Sequence, residues 1–283
     1  MDATIKAFFE NKYPYTALTH LNGRSSNLPG LMIIGLPFYL LGDIGFLQSF
    51  SLLFFAFVLF RTLRTWQARL LGILLLIFSI SFLWEMYVKS DLMSNFILLM
   101  GFVIFLHEKN KTHGLYKPLV SGILTGLLLL TRIVAIIPLT ILFIQPFLQS
   151  SLRKRLWFFL SIFTTAIVLS LLLIRLCPDY DTFIHYNPLL LQNKQLPFII
   201  SFLFILLPFF FFKKYKTLNH ILSYCILFLS LPVFSAFTIS LVKYGFNNIV
   251  YESAFDISYF NILMPFLIYS ISEDIDKKEI KAG

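Results

Sequence analysis

The sequence predicts an all-α, polytopic membrane bundle: one transmembrane domain, with a juxtamembrane or re-entrant helix near its N-terminus. Three observations predict it. Hydrophobic residues make up 58% of the chain and charged residues only 13%, with a mean hydropathy of +0.81, whereas a soluble domain is about half apolar and about a quarter charged. The apolar runs are long and lack the alternation of barrel strands. The basic residues fall in alternate loops, grouped as Arg61, Arg64 and Arg69; Lys109, Lys111 and Lys117; Arg153, Lys154 and Arg155; Lys213, Lys214 and Lys216; and Lys277, Lys278 and Lys281. By the positive-inside rule these loops are cytoplasmic, so the net charge of +9 is a topology signal and implies no nucleic-acid partner.

In chain order, residues 1–44 read as an outer loop plus juxtamembrane helix, 45–272 as the membrane body and 273–283 as a cytoplasmic tail. Ala3 to Asn11 predicts a short amphipathic helix with Ile5, Phe8 and Phe9 on its apolar side. Pro14, Asn22-Gly23 and Pro29-Gly30 then mark turns. Leu28 to Gly42 as a helix reaches only about 22 Å against about 30 Å of hydrocarbon, so it dips or lies at the surface. Nine spanning helices are expected at about 45–61, 69–86, 91–107, 118–131, 133–148, 156–175, 198–212, 219–241 and 257–272. Gly122 and Gly126 form a small-residue face suited to close helix packing.

Polar residues inside this apolar chain mark the candidate site. The stretch from Trp84 to Asn95 places Glu85, Lys89 and Asp91 between two apolar runs. Ser90 is expected to cap the second helix, with Asp91 in its first turn and Ser94 and Asn95 following on the same face. Such a stripe points to a cavity rather than to lipid. Arg132 is the one Lys or Arg set within an apolar run, at the hinge after Thr131. A charge there needs an acid or a ligand phosphate as partner. Asp179, Asp181 and His185 in the loop 176–197 match no strong metal-ligand spacing.

These residues together resemble the C-superfamily of integral-membrane glycosyltransferases, which take sugars from polyprenyl-phosphate donors at the outer leaflet. Asp2 followed by Asn11-Lys12-Tyr13-Pro14-Tyr15 is similar to the family's first outer loop. Asn27-Leu28-Pro29-Gly30 leading to Leu36-Pro37-Phe38 and Gly42-Asp43 resembles its juxtamembrane helix. Glu85 with Ser90, Asp91 and Asn95 is similar to its second acidic motif. Gly122 through Thr131-Arg132 and Asp256-Ile257-Ser258-Tyr259 with Pro265 resemble two later helices. The chain departs from the pattern in having no counterpart of the family's first spanning helix before Asp2.

The resemblance implies inverting transfer of a sugar to a lipid-linked, glycan or protein acceptor, on the outer face of a bacterial cytoplasmic membrane, among membrane lipids. Asp2 is the implied base, and Arg132, with Arg24 and Lys89, would hold the departing phosphate. The planar guanidinium suits phosphate better than an ammonium does. Asp91 and Glu85 would position the acceptor, orient Arg132 or hold a divalent cation. Tyr13, Tyr15 and His20 would line the sugar site, joined in substrate binding by Asn95, Asp256 and Tyr259. Two alternatives stand beside this reading: a transporter or lipid flippase, and a non-catalytic, truncated membrane protein. Against the transporter, no inverted repeat is visible and the polar residues gather at one surface instead of the midplane.

Overall fold

A computed structural model describes residues 1–19, 22–252 and 254–282 of the chain. Among these residues the regular structure is helical, apart from one isolated bridge between Leu18 and Arg24. In order the helices are α1 (Asp2–Phe9), α2 (Pro29–Leu40), α3 (Phe46–Thr62), α4 (Trp66–Ile77), α5 (Ile80–Val88), α6 (Leu92–His113) and α7 (Pro118–Leu129). They continue as α8 (Ile136–Gln149), α9 (Leu152–Ile174), α10 (Tyr180–His185), α11 (Pro188–Gln192), α12 (Phe198–Phe210), α13 (Leu218–Tyr251) and α14 (Met264–Ala282).

The bundle is built around α6, whose Met93, Phe96, Ile97, Met100, Val103 and Ile104 are almost wholly inaccessible. Helix α9 is the opposite case. Its Leu156, Phe159, Phe163, Ile167 and Leu171 are half or more exposed, and their three- and four-residue spacing makes one apolar stripe along the outside of the bundle. Apolar surface of that extent suits a lipid environment.

Three helices among the described residues are long and apolar enough to cross a membrane: Leu92–Thr112, Leu152–Ile174 and Leu218–Tyr251. A fourth crossing exists if α4 and α5, bent by 52° at their junction, act as one. Most of the expected helices form near their expected bounds, as α3, α6, α7, α8, α9, α12 and α13, and several of them are shorter than a full crossing. The expected helix 69–86 breaks because Ser79 takes an extended conformation and accepts a hydrogen bond from Phe82 N, starting a new helix. Helix α12, with 13 residues, measures about 20 Å, and α2, α3, α7 and the segment Ile133–Gln149 are likewise short apolar helices.

The C-terminal segment 273–282 is held against the bundle. Helix α14 runs to Ala282, and Asp276 Oδ1 accepts from Arg64 N at 2.9 Å, Thr65 N at 2.6 Å and Thr65 Oγ1 at 2.8 Å. The tail thus caps the α3–α4 turn. The small-residue face of α7 packs closely as expected, with α9 as its partner: a Cβ at Gly122 would stand 2.6 Å from Phe158 O, and one at Gly126 would stand 2.9 Å from Thr165 Cβ.

Candidate anion site at the α7–α8 hinge

The site begins with a backbone contact. The segment before α2 lies along the end of α7, where Gly30 N donates to Leu130 O at 2.7 Å and Leu28 N to Thr131 O at 3.4 Å. The approach requires glycine, since a Cβ at Gly30 would stand 2.1 Å from Leu127 O. Docking here carries Ser26 and Asn27 to the hinge. Helix α7 stops at Leu129, Thr131 Oγ1 bonds back to Leu128 O at 2.7 Å, and Arg132 is extended (φ −152°, ψ 144°) before the 3-10 turn Ile133–Ala135. One extended residue between two helices projects its side chain out of the bundle axis.

Arg132 meets three acceptors from two other segments. Nη1 donates to Ser26 Oγ at 2.8 Å, and Nη2 donates to Asn27 Oδ1 at 2.7 Å and Asp91 Oδ1 at 3.0 Å. Asn27 Nδ2 closes the ring on Asp91 Oδ2 at 2.5 Å. The Arg132 and Asp91 side chains are 11% and 9% exposed, so the pair is nearly dry. Arg132 Nε is buried without a hydrogen-bond partner, a donor left unmet where burial makes that costly.

Asp91 owes its position to Glu85. Lys89 closes α5 in the left-handed conformation (φ 51°), and Asp91 occupies the N-cap position of α6 without a side-chain cap bond. The expectation that Ser90 caps this helix is corrected: the Glu85 carboxylate does so, accepting from Met93 N at 2.7 and 2.8 Å and from Ser94 N at 3.2 Å. Asn261 Nδ2 adds a further bond at 3.2 Å. Glu85 is completely buried, a positioning group enclosed away from any acceptor. The stripe along α6 divides, with Ser94 meeting Ser51 Oγ at 3.1 Å and Asn95 Nδ2 meeting Thr131 Oγ1 at 3.0 Å.

Gln192 at the end of α11 is a member that the sequence did not reveal. Its Oε1 accepts from Ile133 N at 2.7 Å and its Nε2 donates to Ser26 O at 2.5 Å. A lone Gln in a polar loop carries no signal of that kind. Beside it a cavity of about 70 Å³ is walled by Leu92, Ile137, Phe204, Val233, Phe255 and Tyr259, with Arg132, Gln192, Asn193, Gln195 and Ser201 also lining it. Tyr259 thus lines the same cavity as Arg132.

Other candidates stand elsewhere. Asp2 is exposed at the start of α1, and neighbouring Met1 lies over Gly35 of α2, roughly 8 Å along that helix from Gly30. Among the described residues, Asp2 has no bond to the Arg132 cluster. Tyr13 and Tyr15 pack edge to face at 5.4 Å in a separate apolar cluster with Ile5, Met32 and Leu173. Burial pushes the Tyr13 hydroxyl up to about 12 and also raises that of Tyr15. Both rings are packing, not a sugar platform. Lys89 bonds both Asp43 oxygens at 2.9 and 2.7 Å, which with the Gly45 N–H holds that carboxyl below its usual range. Its ammonium is committed there and not to the Arg132 cluster. Arg24 is exposed, its guanidinium 4.2 Å from the Tyr186 ring centre. Asp256 is exposed and caps the turn Ile257–Ile262 through Ser258 N at 3.0 Å. His20 lies outside the described residues.

No group of three His, Cys, Asp or Glu side chains able to hold a metal occurs among the described residues. The acids offered for a divalent cation do not make a donor set, because N–H groups already face the oxygens of Glu85 and Asp91. Comparisons with family models, curated proteins and solved structures returned no match to the chain.

Proposed function

We propose that this chain is a membrane glycosyltransferase of the polyprenyl-phosphate-dependent kind that its sequence resembles, acting at the outer face. One observation carries the reading: a guanidinium with an unmet Nε–H lines a largely apolar cavity between helices. An amphiphile with an anionic head and a hydrocarbon tail satisfies both features, the phosphate on Arg132 and the first isoprenoid units on Phe204, Val233 and Phe255. The amides of Gln195 and Asn193 at the lip supply hydrogen bonds of the kind sugar hydroxyls take.

In such a transfer the acceptor oxygen attacks the anomeric carbon, the bond to phosphate oxygen breaks on the opposite side, and configuration inverts. The leaving polyprenyl phosphate keeps the electron pair, and Arg132 stabilises the charge that develops on it. The acceptor proton passes to a carboxylate. That base belongs on the face of the sugar opposite the phosphate, whereas Asp91, bonded to Arg132 at 3.0 Å and to Asn27 at 2.5 Å, orients the guanidinium. The outer location is supported by the basic clusters, which fall in loops other than those of Asp91 and Arg132.

The test is binding of polyprenyl phosphate and sugar transfer by purified Arg132→Ala and Arg132→Lys proteins that keep their helical content. Arg132→Ala is expected to lose both activities. Arg132→Lys is expected to keep part, because charge survives and the bidentate geometry does not. Undiminished lipid-phosphate binding by Arg132→Ala would leave the hinge as a structural latch between three chain segments and end the proposal.

A further inference from the structure

A second lipid-shaped feature lies apart from the Arg132 cavity, on the side of the bundle that carries the basic loops. A groove of about 370 Å³ runs between α7, α8, α9 and α12, and Phe143, Phe147, Phe158, Phe159, Phe163 and Phe209 are among its lining residues. Phe159, Phe163 and Phe209 are about half exposed, so the groove opens to the surroundings of the bundle.

Its end is electropositive by construction. Arg155 precedes Phe158 and Phe159 by three and four residues, one helical turn. Its side chain is pinned by Nε to Ser150 O at 2.8 Å and Nη2 to Leu148 O at 2.5 Å, which sets the guanidinium 5.6 Å from the centre of the Phe147 ring, a wall of the groove. Gln145 Nε2 donates to Phe212 O at 2.7 Å, tying the turn Phe212–Lys214 to the same end of α8. Arg153, on the segment that Arg155 belongs to, and Lys213, Lys214 and Lys216, in and just after that turn, are exposed. No Asp or Glu occurs in residues 145–160 or 205–222, so none from either segment offsets this charge.

We propose that this groove is a binding site for an anionic phospholipid, with an acyl chain on the phenylalanine floor and the phosphate among Arg153, Arg155, Lys213 and Lys214. Charge complementarity selects this occupant. A zwitterionic lipid fills the floor equally well but carries an ammonium into a cluster of cations, while a free anion gains nothing from the aromatic wall. The site is independent of the glycosyl-transfer reading, sharing no residue with the Arg132 cavity.

The experiment is retention of lipid by the purified full chain after reconstitution with equal phosphatidylglycerol and phosphatidylcholine and re-extraction into mild detergent, read by native mass spectrometry. Retention of phosphatidylglycerol over phosphatidylcholine is expected. The exposed-charge variant Arg153→Gln/Lys213→Gln/Lys214→Gln should reduce that preference by roughly tenfold or more. Thr140→Trp, which fills the groove and leaves every charge in place, should release the bound lipid. Equal retention of the two lipids by the parent, or an unchanged preference in the charge variant, would overturn the proposal. Undiminished phosphatidylglycerol on a folded Thr140→Trp protein would reduce it to diffuse surface attraction and likewise overturn it.

Discussion

Replacing both members of the Arg132–Asp91 pair is expected to cost less than the two single replacements added together. The two side chains meet at 3.0 Å with 11% and 9% exposure, in a setting where removing one partner of a buried pair costs about 3–5 kcal/mol. Arg132→Met leaves Asp91 with the Asn27 amide alone, and Asp91→Leu leaves the guanidinium with Ser26 Oγ and Asn27 Oδ1. Because those neutral groups soften each loss, about 3 kcal/mol per single variant is the expected scale. The double variant removes both charges and should fall below the sum by about 2 kcal/mol or more. Reversible unfolding in bilayers or mixed micelles measures all four corners of the cycle. Costs that simply add would show that the ion pair contributes no coupling, and the account of the hinge as an electrostatic junction would fail.

Gly30→Ala is expected to destabilise by about 1–3 kcal/mol through overpacking, because its Cβ would meet the Leu127 carbonyl oxygen at 2.1 Å; a thermal midpoint equal to the parent's would contradict the close backbone approach. Asp276 has a folded carboxyl held low, since burial pushes it up but the bonds from Thr65 and Arg64 outweigh that effect. Its stabilisation is therefore complete above the unfolded value near 3.9 and lost as pH falls through the lower folded value. Asp276→Asn should accordingly cost most near neutral pH and progressively less as pH falls below the unfolded value near 3.9, as stability–pH curves of the two proteins would reveal. Lys89→Ala should leave lipid-phosphate binding unchanged, because its ammonium is engaged by Asp43; a large loss in that binding would return Lys89 to the site.

The helical class was legible because long apolar runs in a poorly charged chain have few other solutions. Arg132 and Asp91 were legible for a related reason, as charges beside apolar helices need each other or a ligand. What could not be read was set by contacts with no local signature. The capping of α6 by Glu85 depends on the left-handed residue at Lys89, which turns the chain so that a carboxylate from one helix reaches the next. Ser26, Asn27 and Gln192 join the site through pairing to the α7–α8 hinge, and nothing in their spacing announces it. The tyrosines after α1 have the composition of a sugar platform, yet apolar packing claims them.

Gln192 uses both ends of one amide on two backbone groups, the Ser26 carbonyl and the Ile133 N–H. Lifting α11 away would strand a donor and an acceptor at once, so that loop, the segment before α2 and the hinge turn together as one rigid frame. Any breathing of the Arg132 cavity then falls to α13, where Val233 and Ala236 face it with hydrocarbon alone, since Ser201 Oγ ties α12 to Asn193 Oδ1 at 2.5 Å. Entry of a bulky tail is thereby assigned to a sideways movement of α13, which leaves the hydrogen bonds of the frame and the Ser201–Asn193 tie in place.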